Sequence, residues 1–209
     1  MFPVPAAAAA DGRLIAAPLI LHTPPGWRAD DAFFDLCRRN AELRIEQTAE
    51  GDLIIMPPAG GETGYRNAEI IAQLGNWAKR DGAGVAFDSS TGFLLPNGAK
   101  RSPDAAWVTR SRLATLTPAQ KQQFLPLCPD FVAELRSPTD RLPDLQAKMA
   151  EYQANGARLG WLIDPAERTV HVYRPAVAVE ILAAPGRITA DPELPGFVLE
   201  LQEIWEPGF

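Results

Sequence analysis

Between Pro129 and Pro165 the chain reads PDFVAELRSPTDRLPDLQAKMAEYQANGARLGWLIDP, a stretch that limits the fold more than any other. It opens on an apolar run, Phe131 to Leu135, whose length and sharp ends suit an interior β-strand. Glu134 stands inside that run. An ionised carboxylate taken out of water without compensation costs several kcal/mol or more, so this residue demands a paired cation, a bound metal or a shifted pKa. An amphipathic helix follows, closed by Asn155-Gly156, and then a second interior strand over residues 159–163, ended by Asp164-Pro165.

The same device occurs upstream. Ser102-Pro103-Asp104-Ala105-Ala106-Trp107-Val108 sets an acid at the mouth of another apolar strand, with a proline marking the strand start. If the two strands pair with Asp104 near Glu134, their carboxylates converge on a site suited to a hard cation such as Mg²⁺, which prefers carboxylate oxygens and keeps several waters. The backbone carbonyl of Leu135 can add an oxygen. Taking Leu145 as origin and about 100° per residue, Met149 and Tyr152 fall within roughly 40° and form the buried stripe of the helix, while Lys148 lies about 60° to one side. From that flank its stem can lie on apolar surface and carry the ammonium toward the strand ends.

Elsewhere the pattern is plainer. Residues 1–12 are alanine-rich and proline-spaced and read as a disordered tail, leaving 13–209 as a single domain. Residues 13–21 suit a short edge strand. Asp30 or Asp31 can cap a helix over 32–40, residues 43–48 and 52–56 flank Glu50-Gly51 as a hairpin, and a helix over 63–80 buries Ile70, Leu74 and Trp77. Glu62, at the start of that helix, complements the helix dipole. Strand-like runs cover 84–90 and 91–95, Pro96-Asn97-Gly98 is a turn, and 111–124 reads as a short helix. Lys100 and Arg101 read as solvated loop residues in preference to a phosphate holder. An outer hairpin of 169–173 and 177–182 precedes a last turn and strand over 192–205.

Composition narrows the function. A net charge of −6 and a pI near 5.0 argue against broad attraction to nucleic acid, because phosphate contacts need clustered Lys and Arg. Such a partner must be held by local basic groups or by metal. Cys37 and Cys128 give neither a CxxC pair nor a disulfide framework, which suits a reducing, cytoplasmic setting. No run approaches the ~18 uninterrupted apolar residues of a membrane span, and MFPVPAAAAA lacks the basic start of a secretory signal. His22 and His171 lack metal-ligand spacing or a triad context, and neither GxxxxGK[ST] nor GxGxxG occurs, so histidine-based hydrolysis, ATP and dinucleotides have no support.

Taken in order, GGETGYRN, STGFLLPNGAKRSPD, the stretch from Pro129 to Pro165 and the tail ELPGFVLELQEIW resemble the Uma-type family of restriction-endonuclease-like proteins, within the PD-(D/E)XK nuclease superfamily. The resemblance implies an α/β, restriction-endonuclease-like core of helix, three strands, helix and strand around a mixed central sheet, preceded by a helix and a β-hairpin. It implies Asp104 and Glu134 as the metal-binding acids, Mg²⁺ as the cofactor with Mn²⁺ as a substitute, and a homodimer acting on DNA as a metal-dependent endonuclease. An acid of the first core helix often joins the metal site in this superfamily, so Glu62 or Glu69 is the candidate third carboxylate, and spacing does not separate them. The chain departs from the superfamily at one position. The lysine expected two residues after the glutamate is Arg136, which stays protonated and cannot act as a base. Lys148 takes its place from the helix, in an electrostatic and positioning role. Arg136 also leaves open a second reading, a nuclease-fold module without turnover that binds nucleic acid or a protein partner.

Overall fold

Residues 18–24 and 30–209, with the strand pair β1 (Ala7–Ala8) and β2 (Leu14–Ile15), are described by a computed structural model. The tail reading of residues 1–12 otherwise lies outside them. In chain order come β3 (Leu19–Leu21), α1 (Asp30–Arg39), β4 (Arg44–Gln47) and β5 (Leu53–Met56). Then follow α2 (Gly61–Asp81), β6 (Gly84–Asp88), β7 (Phe93–Leu94), β8 (Lys100–Arg101) and β9 (Ala105–Thr109). After α3 (Arg110–Ala114) the chain forms β10 (Phe131–Leu135), α4 (Leu142–Ala154), β11 (Leu159–Asp164), β12 (Thr169–Tyr173) and β13 (Glu180–Ala183). It ends in β14 (Arg187–Thr189), β15 (Val198–Glu200) and α5 (Gln202–Trp205).

Six strands make the central sheet in the order β13-β12-β11-β10-β9-β6, and only β10 and β11 run parallel. That parallel step needs a crossover, and α4 provides it. Helix α2, strands β6, β9 and β10, helix α4 and strand β11 are thus the expected helix, three strands, helix, strand. Alternation along β10 decides how the sheet is covered. Phe131, Ala133 and Leu135 pack with Ile70, Leu74 and Trp77 of α2, while Val132 packs with Met149 and Tyr152 of α4. Both faces are therefore dry, and the strands read as continuous apolar runs. Each fully buried large side chain there, such as Phe131 or Leu159, is worth roughly 1.5–3 kcal/mol of transfer free energy.

A second sheet, β3-β5-β4-β8-β7, contains the N-terminal hairpin. Its turn at Gly51 has φ 107°, a conformation that favours glycine. Strands β4 and β8 pair at Gln47 and Lys100, which brings the hairpin alongside the run leading into Asp104.

Some expectations are corrected. The helix expected over 111–124 splits into α3 and a separate 3-10 turn at Gln120–Gln122, because Pro118 disfavours helical geometry at the residue before it. The outer strand is shorter than 177–182, and the last segment adds the helix α5 after its strand. Lys100 and Arg101 are strand residues buried to 2% and 8% exposure, not solvated loop residues. Cys37 and Cys128 are both free. Among the described residues no helix is long and apolar enough to cross a membrane.

Candidate active site

The β9–β10 register ends at Ala105 and Ala133. Its next hydrogen-bonded step would set Leu135 opposite Pro103, which has no N–H to give. Asp104 fills the break: its Oδ2 accepts the Leu135 N–H at 2.9 Å. The proline that marks the strand start thereby frees an acid to turn inward beside the end of β10. It also leaves the Leu135 carbonyl facing a residue that cannot donate.

Glu134 lies on the α4 face of β10 at 3% exposure. Lys148 reaches it from α4 as the helical phase requires, with Nζ 2.8 Å from Glu134 Oε1. The Tyr152 hydroxyl, one turn on, donates to the same oxygen at 3.0 Å. The ammonium is shared, since Glu46 of β4 accepts from it at 2.9 Å. Glu46 also accepts the Ser102 N–H at 3.0 Å and pairs with Arg101 at 3.2 Å, and Arg101 in turn meets Glu151 at 2.6 Å. On the other side, Asp104 Oδ1 takes Arg44 at 3.2 Å and the Asn67 amide at 3.4 Å.

The charges in this cluster are unevenly compensated. Glu134 is pushed up to about 7, first by burial and further by Asp104 and Glu46, against the pull of Lys148. Burial also works against the charge on Glu46, but Lys148 and Arg101 outweigh it and hold that carboxyl at about 2. For Lys148 burial opposes the charge, yet Glu134 and Glu46 together leave its pKa raised. Arg44 follows the same pattern, with burial overcome by Asp104, Glu46 and Glu134. The ionised form of Glu134 is therefore the least compensated of these acids, and no arginine contacts it in an ion pair.

Of the residues expected from the sequence, Asp104, Glu134, Leu135 and Lys148 come together. Glu62 and Glu69 do not join them. The helix contributes Asn67 instead, and at 100° per residue Glu69 points about 160° away from it and Glu62 about 140° away. Glu62 is exposed and pairs with Arg66 at 3.0 Å. Arg136 is also elsewhere, bound to Asp164 at 2.6 Å. His22 binds Asp52 at the surface, and His171 is buried in β12. Sequence reading missed Arg44, Glu46 and the polar roles of Asn67 and Tyr152. For Asn67 a signal existed: it precedes Ile70, Leu74 and Trp77 by 3, 7 and 10 residues, a polar side chain on a buried stripe.

The chemistry of this donor set fits a hard divalent cation. Two carboxylates stand near one strand end, where Asp104 accepts the Leu135 N–H, the charge of Glu134 is under-compensated, and Asn67 Oδ1 is a buried acceptor without a partner. Among the described residues no group of three His, Cys, Asp or Glu forms a metal cage. A cation here would keep open positions for water and phosphate, as Mg²⁺ commonly does. Arg44, Asn67 and Asp104 also form the floor of a cleft of about 460 Å³ between the β5–α2 connection, α2 and the end of β6.

The sequence model of the Uma2 family, described as "Putative restriction endonuclease", matches residues 30–202. No curated protein matches the chain. Among solved structures, the crystal structure of "a putative nuclease belonging to DUF820" from Anabaena variabilis aligns with a TM-score of 0.67 at 22% identity, covering 78% of this chain and 90% of that one. At that identity the likeness is one of fold, and the shared fold is the mixed α/β, restriction-endonuclease-like arrangement described above.

Proposed function

From the premise that the chain belongs to the Uma2 family, we propose that it is a metal-dependent endonuclease that hydrolyses phosphodiester bonds in DNA. The observation that carries this reading is the meeting of Asp104, Glu134 and Lys148 at one strand end, with Lys148 Nζ 2.8 Å from Glu134. Asp104, Glu134 and the Leu135 carbonyl would hold Mg²⁺, or Mn²⁺ in its place. Bound there, the cation supplies Lewis acidity toward the scissile phosphate and lowers the pKa of a water.

The protein's own groups do the rest. Lys148, kept protonated between two carboxylates, has no lone pair to offer as a base, so its ammonium steadies the charge that builds on the phosphate in the transition state. Glu46 grips Lys148 independently of Glu134, so the ammonium stays in place when the oxygens of Glu134 are engaged. Arg44, at the cleft floor, offers a second cation to a non-bridging oxygen. Burial of the acids keeps competing water low and strengthens each of these interactions.

The reading includes a second copy of the chain as partner. Among the described residues strand β13 is one edge of the central sheet, and Val177, Val179 and Ile181 expose apolar surface on and beside it. Sedimentation equilibrium checks this, with a dimer expected.

Incubating the purified chain with DNA in Mg²⁺ or Mn²⁺ tests the activity. Cleavage is expected, and Asp104→Asn should remove it. The same substitution should remove metal-dependent stabilisation, which amounts to about 2.7 kcal/mol at a hundredfold excess over Kd. Intact DNA together with no thermal shift in either metal would favour the non-catalytic binding module.

A further inference from the structure

The cleft leading to Asp104 is built unlike a duplex-binding surface. Three acids, Glu42, Asp88 and Asp104, line it against one arginine, Arg44, which is itself paired with Asp104. Duplex DNA carries one negative charge per ~1.7 Å and is gripped through clustered Lys and Arg. Such a rim repels a double strand more strongly than a single one. The acids are also recessed, with Asp104 at 8% and Glu134 at 3% exposure. A nucleotide that has left the stack reaches recessed acids more readily than one held within a continuous duplex.

What the cleft offers instead is a slot. Met56 and Pro57 wall one side, and Ala68 and Ile71 of α2 wall the other. Gly64 lies on the same helix, one turn before Ala68 and lining the cleft. Glycine weakens a helix interior relative to alanine, its φ here is an ordinary one, and a Cβ added at Gly64 would meet no atom within 4 Å. Nothing inside the protein requires the missing side chain, whereas close approach of a ligand to the backbone would. At the floor, Arg44 Nε and Asn67 Oδ1 are a buried donor and a buried acceptor without partners. Buried polar atoms without partners call for an explanation, and a ligand at the cleft floor would supply one.

We infer that this cleft takes one unpaired nucleotide, its base between the apolar walls and its phosphate toward Asp104 and Arg44, so that the substrate strand reaches the site single-stranded or locally opened. The inference rests on the nuclease reading and names its substrate class. The four wall residues are apolar and contact a base without reading its edges, so the slot accepts bases with little sequence preference.

The test uses the full chain in Mn²⁺ with one labelled oligonucleotide as a single strand, as a blunt duplex, and as a duplex with a central unpaired bubble. The single strand should be cleaved about tenfold or more faster than the blunt duplex, and the bubbled duplex should be cut within its bubble. A blunt duplex cut as fast as the single strand overturns the inference and leaves the nuclease reading intact. Cleavage of none of the three sinks that reading and the inference with it. Filling the slot gives a second test. Gly64→Leu introduces a better helix former into open space, so the variant should melt no lower than the wild type while losing about tenfold or more in single-strand binding by fluorescence anisotropy. Unchanged single-strand affinity in Gly64→Leu overturns the slot.

Discussion

Strand β10 has a buried acid at each end, and the two are provided for in opposite ways. Asp130, just before the strand, accepts the Thr109 N–H and the Arg112 guanidinium, each at 2.9 Å and each on its own oxygen. Asp164, at the end of the neighbouring strand, is treated alike, with Arg136 at 2.6 Å and the N–H groups of Ala166 and Glu167 on its other oxygen. Glu134 receives its lysine and its tyrosine on a single oxygen and has two further carboxylates as neighbours. Burial is common to all three acids, so burial alone does not mark a site. An acid with one arginine and backbone donors is a finished structural joint. An acid crowded by other acids still has a use for positive charge, and that is what separates a candidate metal ligand from a strut.

The sharpest way to break this contrast is to neutralise one acid of each kind. Glu134→Gln should depress DNA cleavage by about 10³-fold, near the upper range for loss of a group that organises transition-state charge, with the fold retained. Asp130→Asn should leave the rate per folded molecule near wild type and cost about 1–3 kcal/mol of stability, since it weakens a buried, hydrogen-bonded pair whose arginine is partly exposed. Single-turnover cleavage and denaturant melts of both variants check it. Equal losses of rate would erase the distinction.

The cations sharpen the same comparison at smaller amplitude. Lys148→Ala should lower turnover by about 10²-fold while metal-dependent thermal stabilisation survives, because in the proposed reaction Lys148 would act on the phosphate and not on the metal. Arg136→Ala should spare turnover and lower stability, since it strips the cation from Asp164, an acid at 1% exposure. A rate that falls with Arg136 and not with Lys148 would return the catalytic cation to the position the superfamily pattern predicts.

Much of this site was legible because its parts lie in strongly periodic elements. An acid inside an apolar strand and a lysine 60° off a buried helical stripe each follow from spacing, and the register of β9 on β10 brings Asp104 beside them. The hairpin's share was not legible. Arg44, Glu46 and Gln47 look like the polar residues of a half-exposed strand, and only the packing of β4 beside β8 and α4 turns Glu46 into a buried partner of Lys148. Lys100 was misread for the same reason: its ammonium, at 2.9 Å from Asp30 and 2.7 Å from Gln47, is buried by contacts distant in sequence. On α2 the choice between Glu62 and Glu69 was the wrong question, since the stripe phase already pointed to Asn67.

The smallest effect expected from the comparison is thermodynamic and separates the two kinds of acid without any substrate. With chelator present, Glu134 has a folded-state pKa of about 7, above its unfolded value of 4.5, because burial and two nearby carboxylates resist its ionisation. The folded form therefore holds the proton more tightly. Its stabilising contribution is complete below pH 4.5 and is lost as pH rises toward 7, a change on the order of 1–3 kcal/mol. Glu46 has the opposite sign: with a folded value of about 2, its contribution is present above pH 4.5 and is lost as pH falls toward 2. Glu134→Gln should flatten the loss between pH 4.5 and 7 and leave the acid limb in place. Saturating Mn²⁺ should flatten the wild-type curve over the same interval, since a bound cation competes with the proton for the carboxylate. Denaturant melts across pH, with chelator and with Mn²⁺, read both. A wild-type curve whose slope between pH 4.5 and 7 ignores Glu134→Gln would mean that Glu134 is as well compensated as Asp130, and the physical basis for distinguishing the two ends of the strand would be gone.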